Sequence, residues 1–120
     1  MSIQLQIEEM SGYLAARFIG AGAAEEAWQR FELIAENCKR TKDDKLLLDF
    51  RGAQGDVCVV DRYYLGERSQ IFARHRLKVA TVAIREQIDP QKFGELVARN
   101  RGVNMCVFTD VQAAEEWLFK

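Results

Sequence analysis

Three short, mainly apolar runs constrain this chain more than any other feature: Leu46 to Leu48, Val79 to Ile84 and Val103 to Phe108, the last two interrupted only by Thr81 and Asn104. None alternates as a strand with one wet face would, so each reads as a strand covered on both faces. The first run ends at Asp49 and Phe50. Segments of helical period separate the runs, and that βαβ rhythm requires a sheet with a parallel centre.

The N-terminal segment, Met1 to Met10, follows another rule. Ile3, Leu5 and Ile7 alternate with Gln4, Gln6 and Glu8, the period-two pattern of a strand with one buried face. After a turn at Ser11 and Gly12, Leu14, Ala16 and Phe18 share one face while Tyr13, Ala15 and Arg17 share the other. The two segments form an antiparallel hairpin that Gly20 and Gly22 end.

Helical spacing begins at Ala24. Ala24, Ala27, Trp28, Phe31, Ile34, Ala35 and Cys38 recur at three- and four-residue steps, opposite Glu25, Glu26, Arg30, Glu32 and Glu36. Thr41 to Asp44 is a polar connection. The segment from Val59 to Arg74 is a less regular helix, with Val60, Tyr64, Ile71 and Phe72 on one face and Gly66 weakening its middle. A third helix is expected over Pro90 to Arg101, with Asp89 as cap, Pro90 in first position and a left-handed Gly102 after its end. The last begins near Thr109, where Thr109 and Gln112 have capping-box spacing, and buries Val111, Ala114, Trp117 and Leu118.

The predicted fold is thus α/β in the order β-β-α-β-α-β-α-β-α. It is a mixed five-stranded sheet with an N-terminal antiparallel hairpin, a parallel centre and helices covering it. One domain is expected over residues 1–120, since a chain of this length buries roughly two-thirds of its extended surface. Composition agrees: with 48% hydrophobic residues and a formal charge of -1, disorder is excluded.

Cys38, Cys58 and Cys106 are odd in number and widely spaced, which argues against a disulfide framework and for a reducing, cytoplasmic setting. Met1 to Met10 lacks the charge and apolar run of a signal peptide, and no stretch has the length of a membrane span. Membrane contact is therefore expected to be peripheral at most. A lone histidine, His75, suits the dipole of a helix end, and the cysteines lack zinc-ligand spacing. Only Ser2, Ser11 and Ser69 are available to a serine triad. No catalytic residue, metal site or cofactor is expected.

Ligands of open α/β sheets favour the carboxyl ends of the parallel strands, here the loops after Asp49, Ile84 and Phe108. The loop after Asp49 joins Arg51, Gly52, Gly55 and Asp56 to a helix start and to Arg62, forming a candidate interaction or anion site. A solvated connection has the same composition. Gly20 to Glu25 resembles a dinucleotide fingerprint, but Glu25 stands where Gly or Ala is needed and the preceding strand is antiparallel. Cys58, at a helix start, is either a lowered-pKa thiol or inert. Asp49, ending a buried strand, is either part of that site or a structural carboxylate held by loop N–H groups or Arg51.

Charge is polarised along the chain. Arg62 to Arg101 holds nine basic and four acidic residues, a net +5, against -6 elsewhere. No nucleic-acid module accompanies this, so no nucleic-acid partner is expected, and a protein partner or second copy fits instead.

The stretches Lys45 to Gly52, Asp61 to Glu67 and Lys78 to Ala83, together with Ala98 to Asn104 and Val107 to Asp110, resemble the SpoIIAA-like group of the STAS superfamily. The resemblance spans nearly the whole chain and implies a non-catalytic bacterial binding domain related to anti-sigma factor antagonists. Those antagonists carry a phosphorylated serine in an Asp-Ser-Ser-Gly type loop. Here no Ser or Thr occurs between Phe50 and Glu67, so that switch has no acceptor.

Two functional classes follow. One is a regulatory protein-interaction module acting around Arg51 to Tyr64, in monomer or homodimer. The other, implied by similarity to Sec14-type domains, is a carrier or sensor of a small apolar ligand or lipid, lined by Tyr63, Tyr64, Leu65, Ile71 and Phe72. Plain core packing is the alternative for that aromatic group.

Overall fold

In the computed structural model, which describes residues 2–120, five strands form one sheet in the spatial order β1-β2-β3-β4-β5. Met1, first residue of the alternating N-terminal segment, lies outside the described residues. β1 (Gln4–Glu9) and β2 (Leu14–Ala21) form the antiparallel hairpin. β2 then runs parallel to β3 (Lys45–Gln54), β3 to β4 (Lys78–Val82) and β4 to β5 (Asn104–Phe108). Each crossover of one hand sets the next strand on the same side, so the strands stack in chain order.

The helices of all three crossovers pack on one face: α1 (Glu25–Trp28), α2 (Phe31–Thr41), α3 (Val59–Arg68), α4 (Gln70–Arg74) and α5 (Phe93–Asn100). Leu14, Ala16 and Phe18 meet Leu46, Leu48, Phe31, Ile34 and Phe72 there. Full burial of a side chain such as Phe72 contributes about 2–3 kcal/mol. α6 (Val111–Leu118) covers the opposite face, where Ala114 and Leu118 pack on Tyr13, Ala15, Leu47, Ala80 and Val82. Strand alternation assigns each of these residues to its face, as the sequence pattern requires.

Several boundaries differ from expectation. The helix expected continuously from Ala24 breaks after Trp28, where a turn at Gln29 and Arg30 (φ -99 and ψ -1) separates α1 from α2. The helix expected from Val59 to Arg74 divides at the buried Ser69, whose hydroxyl donates to the Gly66 carbonyl. Local side-chain bonding of this kind competes with the helical ladder. Val60 and Tyr64, expected on its inner face, are exposed, whereas Phe72 is buried.

Pro90 precedes α5 by a turn instead of opening it. Asp89 still accepts from the N–H groups of Gln91 (3.1 Å) and Phe93 (3.1 Å). At α6 the cap is Asp110 and not Thr109: its carboxylate accepts from Gln112 (3.4 Å) and Ala113 (3.2 Å). β4 stops at Val82, leaving Ile84 exposed before a 3-10 turn at Arg85–Gln87. Gly102 is left-handed at φ 85, as expected.

Candidate functional site

β3 is longer than its apolar run suggests. Arg51, Gly52, Ala53 and Gln54, expected as loop, continue the strand, because Ile19, Gly20 and Ala21 of β2 pair with Gly52, Ala53 and Gln54. The register shifts between Arg17 and Ile19, so Phe50 and Arg51 together oppose Phe18. Only Gly55 to Cys58 connects β3 to α3. Gly55, at φ 146, lies so close to Gly22 that a β-carbon would stand 2.5 Å from its carbonyl oxygen.

This geometry divides the candidate residues between the two faces of the sheet. Asp49 follows Leu47 on the α6 face and forms a two-pronged pair with Arg51, Nε to Oδ1 at 3.0 Å and Nη2 to Oδ2 at 2.9 Å. The Arg51 backbone N–H adds a third bond at 3.0 Å, and Arg17 stands 4.0 Å away. Burial would raise the Asp49 carboxyl, but these bonds and charges outweigh it and hold the group below the usual carboxylate range. Gly52 packs against Ile19, and Asp56 is exposed in the short loop.

Gly55 and Arg62 belong to the other face, where a cavity of about 160 Å3 lies at the carboxyl ends of β3, β4 and β5. Leu48, Phe50, Thr81, Ala83, Met105 and Val107 form its floor. Arg62, Leu65 and Gly66 of α3 and Gly94 and Glu95 of α5 lie over it. Ala27, Phe31 and the segment Gln87 to Asp89 close its sides. Its walls are mainly apolar, as in ligand pockets generally.

Of the five residues expected to line such a space, only Leu65 does so. Phe72 and Ile71 pack in the core away from it. Tyr63 and Tyr64 turn outward and join α3 to its neighbours. The Tyr63 hydroxyl accepts from Arg101 Nη2 at 3.0 Å, and the Tyr64 ring lies 5.4 Å from that of Trp28. Helical rotation places Leu65, one step beyond Tyr64, toward the sheet.

Of the polar residues of the wall, Arg62 was a candidate from the sequence, whereas Gln87, Glu95 and Thr81 were not singled out by sequence pattern. Gln87 Nε2 donates to the carbonyls of Phe50 (2.8 Å) and Ala53 (2.9 Å), while its Oε1 accepts from the Ile84 N–H (2.9 Å). It latches the end of β3 to the connection after β4. Glu95, 8% exposed, accepts from the Val107 N–H at 3.2 Å on the edge strand β5. Arg62 Nη1 stands 3.5 Å from Asp89 Oδ1. Arg62 Nε and Thr81 Oγ1 are buried and find no hydrogen-bond partner among the described residues. The one available sequence signal was positional: the loop after Ile84, at the end of a parallel strand, supplies Gln87 and Asp89.

The first two turns of α3 leave Val59 and Val60 64% and 59% exposed, beside the half-exposed Tyr63 and Tyr64. The cysteines separate by depth. Cys38 is fully buried and its thiol is pushed up to about 12 by burial and by Asp43, Cys106 is raised by burial and by Glu95, and Cys58 is exposed. Among the described residues no helix is long and apolar enough to cross a membrane, and no three His, Cys, Asp or Glu side chains converge as metal ligands.

No protein-family model and no curated protein matches the chain. Solved structures match it along nearly its full length. An anti-sigma factor antagonist from Mycobacterium paratuberculosis superposes with a TM-score of 0.64 at 12% identity, covering 99% of this chain and 96% of its own. A serine-to-glutamate variant of RsbS from Moorella thermoacetica gives 0.62 at 14%, with coverage of 97% and 95%. An uncharacterized protein with a SpoIIAA-like fold from Shewanella loihica gives 0.55 at 21%, with coverage of 98% and 94%. The chain has the SpoIIAA-like fold.

Proposed function

We propose that this chain is a non-catalytic regulatory domain that takes a protein partner on the exposed N-terminal half of α3. The observation that carries this reading is the group Val59, Val60, Tyr63 and Tyr64, which keeps two aliphatic and two aromatic side chains at the surface of one short helix. Adjacent apolar side chains on a rigid element, with Arg68 and Arg101 beside the rings, have the make-up of an interface core with a charged rim. The fold is shared with an anti-sigma factor antagonist and with RsbS, and this supports a regulatory role by analogy of fold.

Because no Ser or Thr occurs from Phe50 to Glu67, binding at this surface is not switched by serine or threonine phosphorylation in that segment. The free thiols fit a cytoplasmic setting. A photo-crosslinking residue at Val60, compared with one at the exposed Glu116 on the opposite face, tests the docking surface in cells of the native host. A discrete adduct at residue 60 and none at 116 is expected. Equal labelling at both positions, or none at either, overturns the proposal.

A second reading, a carrier or sensor of a small apolar ligand, is favoured by the cavity beneath α3.

A further inference from the structure

The cavity has a composition that selects among ligands. Its floor and most of its walls are aliphatic or aromatic, from Leu48 and Phe50 to Met105 and Val107. An apolar cavity of about 150 Å3 takes a molecule the size of benzene, so 160 Å3 sets a similar scale here. Among the polar atoms of this lining, two stand apart, Arg62 Nε and Thr81 Oγ1, each buried and each without a protein partner among the described residues. Both side chains are in the cavity wall, and Thr81 pairs in the sheet with Leu48 on one side and Val107 on the other, residues of the same floor. A guanidinium N–H can only donate, and a hydroxyl can donate, so an acceptor oxygen serves both.

Charge then decides what kind of acceptor. The half-buried Arg62 already faces Asp89 at 3.5 Å, and the buried Glu95 adds a second carboxylate to the wall, while Lys92 is exposed to water. The charges screened from solvent already include more anion than cation. A ligand carboxylate would add another buried negative charge, which costs more than its bond to Arg62 returns. An uncharged oxygen avoids this.

We infer that the cavity binds a small uncharged molecule, aromatic or branched aliphatic, carrying one acceptor oxygen that bonds to Arg62 Nε and Thr81 Oγ1. This rests on the ligand-binding reading of the cavity and is independent of the docking surface on α3. It assigns Arg62 and Thr81 as the polar anchors and Leu65 as part of the apolar roof.

Three probes of similar size separate the terms: acetophenone, with a neutral acceptor, isopropylbenzene, with none, and benzoate, with a charge. Binding is followed on the full chain by NMR chemical-shift titration at Thr81, Leu65 and Val107. Acetophenone is expected to bind at least about tenfold tighter than isopropylbenzene, since it gains a hydrogen bond to a charged group. It is also expected to bind tighter than benzoate. Thr81→Val, which keeps side-chain shape and removes an unpartnered hydroxyl, should fold normally and narrow the acetophenone preference. Arg62→Met should narrow it further.

Equal affinity for acetophenone and isopropylbenzene overturns the anchor assignment while leaving the ligand-binding reading in place. Tighter binding of benzoate overturns the neutral-ligand inference. Failure of all three probes to shift the cavity residues up to their solubility overturns both.

Discussion

Gly66 of α3 lies directly against the main chain of Gly94 of α5: a β-carbon at residue 66 would stand 2.5 Å from the Gly94 carbonyl oxygen and 2.8 Å from Cβ of Val97. A glycine that looks like a weak point in a helix is therefore what lets two helices close over the cavity.

Gly66→Ala tests this contact. Alanine improves helix propensity by about 1 kcal/mol, but the backbone of α5 must retreat to admit the methyl group, and overpacking of this kind costs about 1–3 kcal/mol. A net loss of up to about 2 kcal/mol is expected in urea unfolding. A variant more stable than wild type would show that α3 and α5 do not hold this approach.

Gln87→Leu removes the latch between the end of β3 and the connection after β4. The carbonyls of Phe50 and Ala53 lose their donor and the Ile84 N–H loses its acceptor. Stability should fall by about 1–3 kcal/mol. Hydrogen exchange at Ile84 should accelerate well beyond the global change, and unchanged protection there would contradict the latch.

Asp49→Asn addresses the acid limb of stability. The Asp49 carboxyl is held low in the folded protein, whereas an unfolded aspartate titrates near 4. Its stabilisation is therefore fully present above about pH 4 and disappears as the pH falls through the lowered folded value. The variant should be less stable by about 1 kcal/mol at pH 7, since the exposure of Arg51 tempers the pair. That gap should close in acid. Urea midpoints of both proteins from pH 7 down to pH 2 measure it, and a gap independent of pH would refute the assignment.

Thiol reactivity should follow depth. At pH 8, Cys58 should react with an aromatic disulfide reagent first and Cys106 more slowly, while Cys38 should react only on unfolding. The raised Cys38 value also has a sign: its contribution is present below the unfolded thiol value near 8.5 and is lost as the pH climbs toward about 12. Prompt labelling of Cys38 in native protein would contradict its burial.

The hairpin, the parallel centre and both faces of β2 and β3 were legible because strand alternation is a local property. Leu14, Ala16 and Phe18 could be assigned to one side and Tyr13 and Ala15 to the other from spacing alone. Helix ends were less legible. The break at Arg30 and the division at Ser69 have no strong breaker in the sequence, and the cap moved from Thr109 to Asp110 because neighbouring residues compete for one geometry.

For the site, the sequence identified the carboxyl ends of the strands but grouped Asp49 and Arg51 with Arg62. The sheet separates them, since Arg51 continues the strand as β2 pairs past it.

By itself, then, the sequence determined which segments are strands and how they alternate, because those follow from residue type and period. Only the tertiary structure decided that Leu65 and not Tyr64 faces the sheet, that Gln87 ties two distant segments, and that Arg62 and Thr81 share a cavity wall. These depend on the rotation and height at which α3 and α5 rest on the strands, set by contacts such as Gly66 on Gly94 between residues far apart in the chain.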